Sequence, residues 1–282
     1  MARARDTGFP TSDAQDDFMR ARRGQALSRL RRRLAGQPGD VDVILPFDEV
    51  VAALGRVGEK SLGLQTIDID TILGTVDRTS GFDRQFRPTS SRVRTRWERI
   101  ANAMRRGEPM PPISVYRIGE VHFVRDGHHR VSVARAMGLT QIDAYVTEVT
   151  TRVPIDRALR AGDLPLKSHE RVFLERVPLS KAEFEEVRLS DPWQYATLAE
   201  GVEAWGFRLI QECGEPLNRS DVSRRWLRDE FRPVVLMLHE ADLIGKGTDA
   251  DAYLRIAAER YRLMRTHDWN DEVIDRIRRE LR

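Results

Sequence analysis

The sequence predicts an α+β protein with a compact mixed domain in its first half and a mainly α-helical C-terminal domain. Three observations carry this. Between residues 65 and 150 the patterning alternates as strand, helix, hairpin, helix, strand, switching between a period of two and a period of 3.6. From Ser180 to Arg282 it is helical almost throughout. At 282 residues, 40% hydrophobic and 32% charged, the chain is long enough for two domains with a charged surface. The predicted divisions are a basic, partly disordered arm with a helix (1–40), the mixed domain (41–150), a linker (151–180) and the helical domain (181–282).

Composition narrows the setting. The single cysteine, Cys213, cannot form an internal disulfide, and no apolar run approaches the ~18 residues of a membrane span. A cytoplasmic protein with no membrane partner is expected, and the sequence is compatible with an oligomer.

Residues 1–12 are small, polar and basic and read as disordered. A helix follows from Ser12 or Asp13 to about Leu34, ended by Gly36, Pro38 and Gly39. Val41 to Pro46 reads as a short strand, Phe47 to Leu54 as helix, and Gly55, Gly58 and Gly63 as a loop. Thr66 to Asp70 alternates like a half-buried strand, with a turn beginning at Asp70. Arg78 to Pro88 is an arginine-dense loop anchored by Phe82 and Phe86. Thr89 or Ser90 caps a helix to about Arg106, with Val93, Trp97, Ile100 and Met104 on its apolar face, so Trp97 is assigned to the core.

Pro111 to Ile118 and Val121 to Arg125 form a hairpin about Gly119-Glu120, and Gln141 to Val146 is the last strand. Residues 150–180, with Pro154, Gly162, Pro165 and Pro178, read as a connector. Helices are expected at 194–213, 220–244 (kinked or split at Pro233), 249–264 and 270–281. Asn218 and Thr248 sit where helix caps belong.

Charge is uneven. Residues 78–135 hold thirteen arginines against five acidic residues, and residues 1–35 nine arginines against four. Such segments favour polyanions: nucleotide phosphates, or DNA held through the N-terminal and 78–106 regions. The arginines at 29 and 31–33 also suit a solvated helix or interaction arm.

The centre of the arrangement is Phe123 to Gly138, a strand that ends in Asp126-Gly127 and turns directly into a helix starting His128-His129-Arg130. A helix start exposes unpaired N–H groups and the positive end of the dipole. Gly127, His128, His129 and Arg130 are therefore the candidate phosphate cradle, completed by Arg92, Arg94 or Arg96 from the preceding helix. The alternative is that the histidines cap the turn and Arg130 pairs with Asp126. Asp83 and Asp126 are the candidate bases. Against that, Asp83 has Arg84 and Arg87 within ion-pairing reach, and Asp126 suits a turn-holding role. Adjacent histidines point about 100° apart on a helix, so no protein-built metal site is expected; Mg²⁺ would arrive with a nucleotide.

These residues carry a resemblance. Pro112-Ile113-x-Val115, a hairpin, Asp126-Gly127-His128-His129-Arg130, a small-residue helix, Gly138 and a strand resemble the ParB N-terminal/sulfiredoxin-like family over residues 65–150. The resemblance implies a bacterial nucleotide-binding fold, and a ParB-like branch of free-serine kinases carries a similar Asp-Gly-His-x-Arg turn. His128 stands where sulfiredoxin has its catalytic cysteine, which removes sulfinic-acid reduction. The connector after residue 150 stands where the partition proteins place a helix-turn-helix. Trp226 to Tyr253 resembles an uncharacterised domain found beside ParB-like units.

The function expected is a ParB-like regulator or switch that binds, and can hydrolyse, a nucleoside triphosphate. A small-molecule phosphotransferase and a non-specific DNA binder are the alternatives.

Overall fold

Proline at the first turn and arginines in the last set the limits of α1 (Pro10–Leu34): the missing N–H costs nothing there, and positive charge suits the carbonyl end. The computed structural model describes residues 7–36, 43–76, 81–264 and 267–280. The chain divides into two compact units, Met1–Pro165 and Leu166–Arg282.

In the first unit α1 is followed by β1 (Leu45–Pro46), α2 (Phe47–Leu54), β2 (Arg56–Asp68), β3 (Ile72–Thr75), α3 (Arg94–Arg105), β4 (Ile113–Ile118), β5 (Val121–Asp126), α4 (His128–Ala136) and β6 (Gln141–Thr151). The strands form one mixed sheet in the order β1-β3-β5-β4-β6-β2. β1, β3 and β5 run parallel, β4 pairs antiparallel with β5 across the tight hairpin and parallel with β6, and β2 pairs antiparallel with β6.

Alternation along β4 and β5 assigns the two faces. On one, Phe47 of α2 stacks on Tyr116 at 4.5 Å and meets Phe123 edge-on at 5.5 Å. A Cβ on Gly74 would lie 2.1 Å from the Phe123 ring, so this neighbour must be glycine. On the other face Ile69, Ile72, Ile113, Val115, Val124 and Val146 form the core under Val131 and Ala134 of α4. A second layer follows, in which Phe18 of α1 packs edge-on against Trp97 of α3 at 5.5 Å. Trp97 is fully buried, as its place on the apolar face requires, and its indole N–H donates to Ser132 Oγ at 2.8 Å. Arg105 pairs with Asp13 and Asp17, so buried ion pairs also tie α1 to α3.

Several expectations change here. The glycines at 58 and 63 mark bulges within the 13-residue β2 rather than a loop, because the register against β6 slips at both. Ile72 to Thr75 is a parallel strand, not the start of a turn. Helix α1 begins at Pro10, inside the segment read as disordered; Thr7 donates to Asp13 through both its N–H and its hydroxyl. Residues 1–6, the 37–40 breaker, Val41-Asp42 and 78–80 of the arginine loop lie outside the described residues.

The chain continues with α5 (Leu164–Arg176), α6 (Lys181–Glu186), α7 (Tyr195–Cys213), α8 (Arg219–Trp226), α9 (Arg232–Glu240), α10 (Asp249–Met264) and α11 (Asp271–Glu280). Helix α5 occupies much of the expected linker: Pro165 sits in its first turn, where proline is tolerated. Asn218 and Thr248 accept the amides of Asp221 and Asp251, as cap residues do.

Between α8 and α9 the chain forms one π-helical turn, Leu227–Phe231. Pro233 has no N–H for the Asp229 carbonyl and would clash with it in an α-helix. The ladder widens instead, and the Arg232 amide reaches Leu227 five residues back. The helix continues through the proline. Among the described residues, no helix is long and apolar enough to cross a membrane.

Candidate functional site

The carboxyl ends of β1, β3 and β5 lie side by side, the position outside which open α/β sheets leave a crevice. β5 leads into α4 through Gly127, whose φ of 105° is left-handed. A Cβ there would stand 2.5 Å from Ile113 Cγ2, so geometry and space both demand glycine. The first helical bond of α4 runs from the Val131 amide to the Gly127 carbonyl at 3.0 Å. No side chain caps this end. Among the described residues, the amides of His129 and Arg130 have no acceptor.

The two histidines pack against the loop that follows β3. Phe82 meets His129 edge-on at 5.2 Å and Phe86 lies over His128 at 6.2 Å, while Thr75 Oγ1, at the end of β3, is 2.6 Å from His128 Nε2. Burial, then the charge of Arg96 and the nearness of His128, push His129 down to about 4, so it is neutral at pH 7. Its Nδ1 is buried without a partner among the described residues. Thr75 gave no sequence signal beyond ending an apolar run.

Three expected site residues are engaged within the protein itself. Asp83 is not placed as a base. Its Oδ1 accepts the Gln85 and Arg87 amides at 3.0 and 2.9 Å, and its Oδ2 takes Arg87 Nε at 2.9 Å. It organises the loop, and of its two expected ion-pair partners Arg87 is the one engaged. Arg84 turns away, to the Leu159 carbonyl at 2.6 Å.

Arg130, expected to face an anion, is turned inward: it donates to the carbonyls of Pro111 and Pro112 and to the carboxylate of Asp126. Asp126 is thus its ion-pair partner. The arrangement staples the start of α4 to the start of β4.

The three arginines of the preceding segment do not converge. Arg94 pairs with Glu98 at 2.6 Å and lies over the Phe18 ring. Arg92, in the single 3-10 turn before α3, and Arg96 are exposed and make no hydrogen bond or ion pair among the described residues. Arg96 is the basic side chain whose field reaches His129.

His122 stands apart from this cluster. Thr71 donates its hydroxyl proton to the Asp68 carbonyl, so His122 Nδ1–H must donate to Thr71 Oγ1, at 2.8 Å, and Nε2 carries the lone pair. Among the described residues no three His, Cys, Asp or Glu side chains are placed to hold a metal ion.

No family model and no curated protein matches the chain. Among solved structures, sulfiredoxin from Arabidopsis thaliana is similar at 17% identity over 31% of this chain and 86% of that one, with a TM-score of 0.24.

Proposed function

We propose that the start of α4 binds the phosphates of a nucleoside triphosphate and that the protein acts as a nucleotide-dependent regulator or switch. The observation that carries this is the uncapped helix start at Gly127, at the carboxyl ends of parallel strands, with the His129 and Arg130 amides lacking an acceptor. An anion there gains two amide donors and the positive end of the helix dipole. Arg96, whose charge reaches His129, and the exposed Arg92 supply positive charge from the preceding segment. Arg130 contributes by holding the turn in shape, so little reorganisation accompanies binding. The likeness of the Asp126–Arg130 motif to ParB-like proteins supports a nucleotide over a simpler anion, and Mg²⁺ would enter on its phosphates.

Hydrolysis and phosphoryl transfer are secondary readings, because both expected bases, Asp83 and Asp126, are engaged in ion pairs. DNA binding draws on the exposed Arg29, Arg31 and Arg33 of α1 and would show a steep salt dependence.

The test is calorimetric titration of ATP, GTP and CTP, with Mg²⁺, into the wild type and the Arg92→Ala/Arg96→Ala double variant. Binding that weakens about thirtyfold in the double variant supports the site, since each of the two lost charge-assisted contacts is worth about 1 kcal/mol. No saturable binding, or equal binding by both proteins, overturns it.

A further inference from the structure

The second unit contains a cavity of about 420 Å³, a volume suited to a small molecule. Its walls come from α7, the π-helical turn, α9 and the segment before α11. Trp205 and Trp269 supply aromatic surface, and Glu212, Asp229, Glu230 and Asp268 supply carboxylates.

The acids are not equivalent. Asp229 is held by Arg228 at 2.6 and 2.7 Å, which keeps its carboxyl below the usual range. Glu230 uses only Oε1: that atom accepts the Trp269 indole N–H at 2.8 Å and the Tyr253 hydroxyl at 3.4 Å. Among the described residues, Oε2 has no partner. His267 is kept below its ordinary value by desolvation and the charges of Arg208 and Arg260. Arg208 is the basic side chain on the wall.

The same corner already holds a cation on its inner side. The guanidinium of the buried Arg260 lies 4.0 Å over the Trp269 ring and 3.9 Å from Glu230 Oε1. A Trp face beside a carboxylate is what a guanidinium or alkylammonium group requires.

We infer that this cavity is a binding site for a small organic cation, an alkylguanidinium or alkylammonium group seated between Trp205 and Trp269 with Glu230 as its counter-ion. The site lies wholly in the second unit and does not depend on the α4 phosphate reading.

Butylguanidinium, butylammonium and the neutral isostere butylurea would be titrated into the full chain, read by calorimetry and tryptophan fluorescence. The wild type should bind both cations saturably and butylurea at least tenfold more weakly. Trp205→Ala and Glu230→Gln should each weaken the cations about tenfold. Trp205 is only partly buried, so its variant decides the matter if Glu230→Gln fails to fold. Equal binding of butylurea, no saturable cation binding, or unchanged affinity in Trp205→Ala overturns the inference. Preference for agmatine over N-acetylarginine amide marks a free amine as the source, and the reverse a peptide side chain; either upholds the cation.

Discussion

Asp83 and Arg87, four residues apart, form an ion pair at 2.7 Å inside the loop that walls the two histidines. Arg87 then reaches α1, donating to the Gly24 carbonyl and to Ser28 Oγ. Removing the carboxylate leaves a half-buried guanidinium with only its α1 acceptors and takes the acceptor from two loop amides. Asp83→Ala should therefore cost about 3 kcal/mol of stability, and Asp83→Asn less. Urea denaturation checks this. A full-stability Asp83→Ala protein would contradict the structural role.

Gly127→Ala should be worse than an ordinary surface change. The left-handed φ and the 2.5 Å approach to Ile113 add strain to overlap, for about 2–4 kcal/mol. The thermal midpoint should fall by several degrees. A midpoint within a degree of wild type would show that the turn is free to relax.

Ser132→Ala leaves the buried Trp97 indole N–H without its acceptor. The expected loss is about 1–3 kcal/mol. The double variant Trp97→Phe/Ser132→Ala should recover part of it relative to the additive sum, since neither polar group is then left unpaired. Strict additivity in a double-mutant cycle would refute the coupling.

Acid should destabilise the first unit through its histidines. Burial and the charges of Arg117 and Arg157 hold His122 down at about 4, and His129 lies near the same value. Both are lowered, so the unfolded chain binds the extra protons. Stability is fully present above about pH 6.5 and falls as pH drops towards 4. At pH 4.5, His122 alone should account for about 2–3 kcal/mol of the fall. Denaturation of wild type and His122→Gln at pH 7 and 4.5 measures it; parallel losses in both would exclude His122.

Much of the first unit was legible because its signals were local. The tight turn at Gly119-Glu120, the glycine stop at Gly138 and the apolar face through Trp97 and Met104 each act over a few residues. Strand β2 was not legible, since two glycines that usually break a strand sit at bulges that only the pairing with β6 explains. The same holds for Arg130. Its spacing suits an anion, but its donors go to Pro111 and Pro112, eighteen or more residues back, which the β4–β5 pairing brings beside the end of β5. Asp83 was legible as an ion-pair partner, because Arg87 lies within one turn of chain.

β2 ends the sheet, so its outer row of N–H and C=O groups has no strand beside it among those described. The two glycine bulges deform that row, and Arg56, Glu59 and Lys60 crowd it with exposed charge. A stray β-segment arriving there meets a buckled, hydrated border instead of a flat template. The irregularity that hid this strand in the sequence also makes this border a poor template for a further strand.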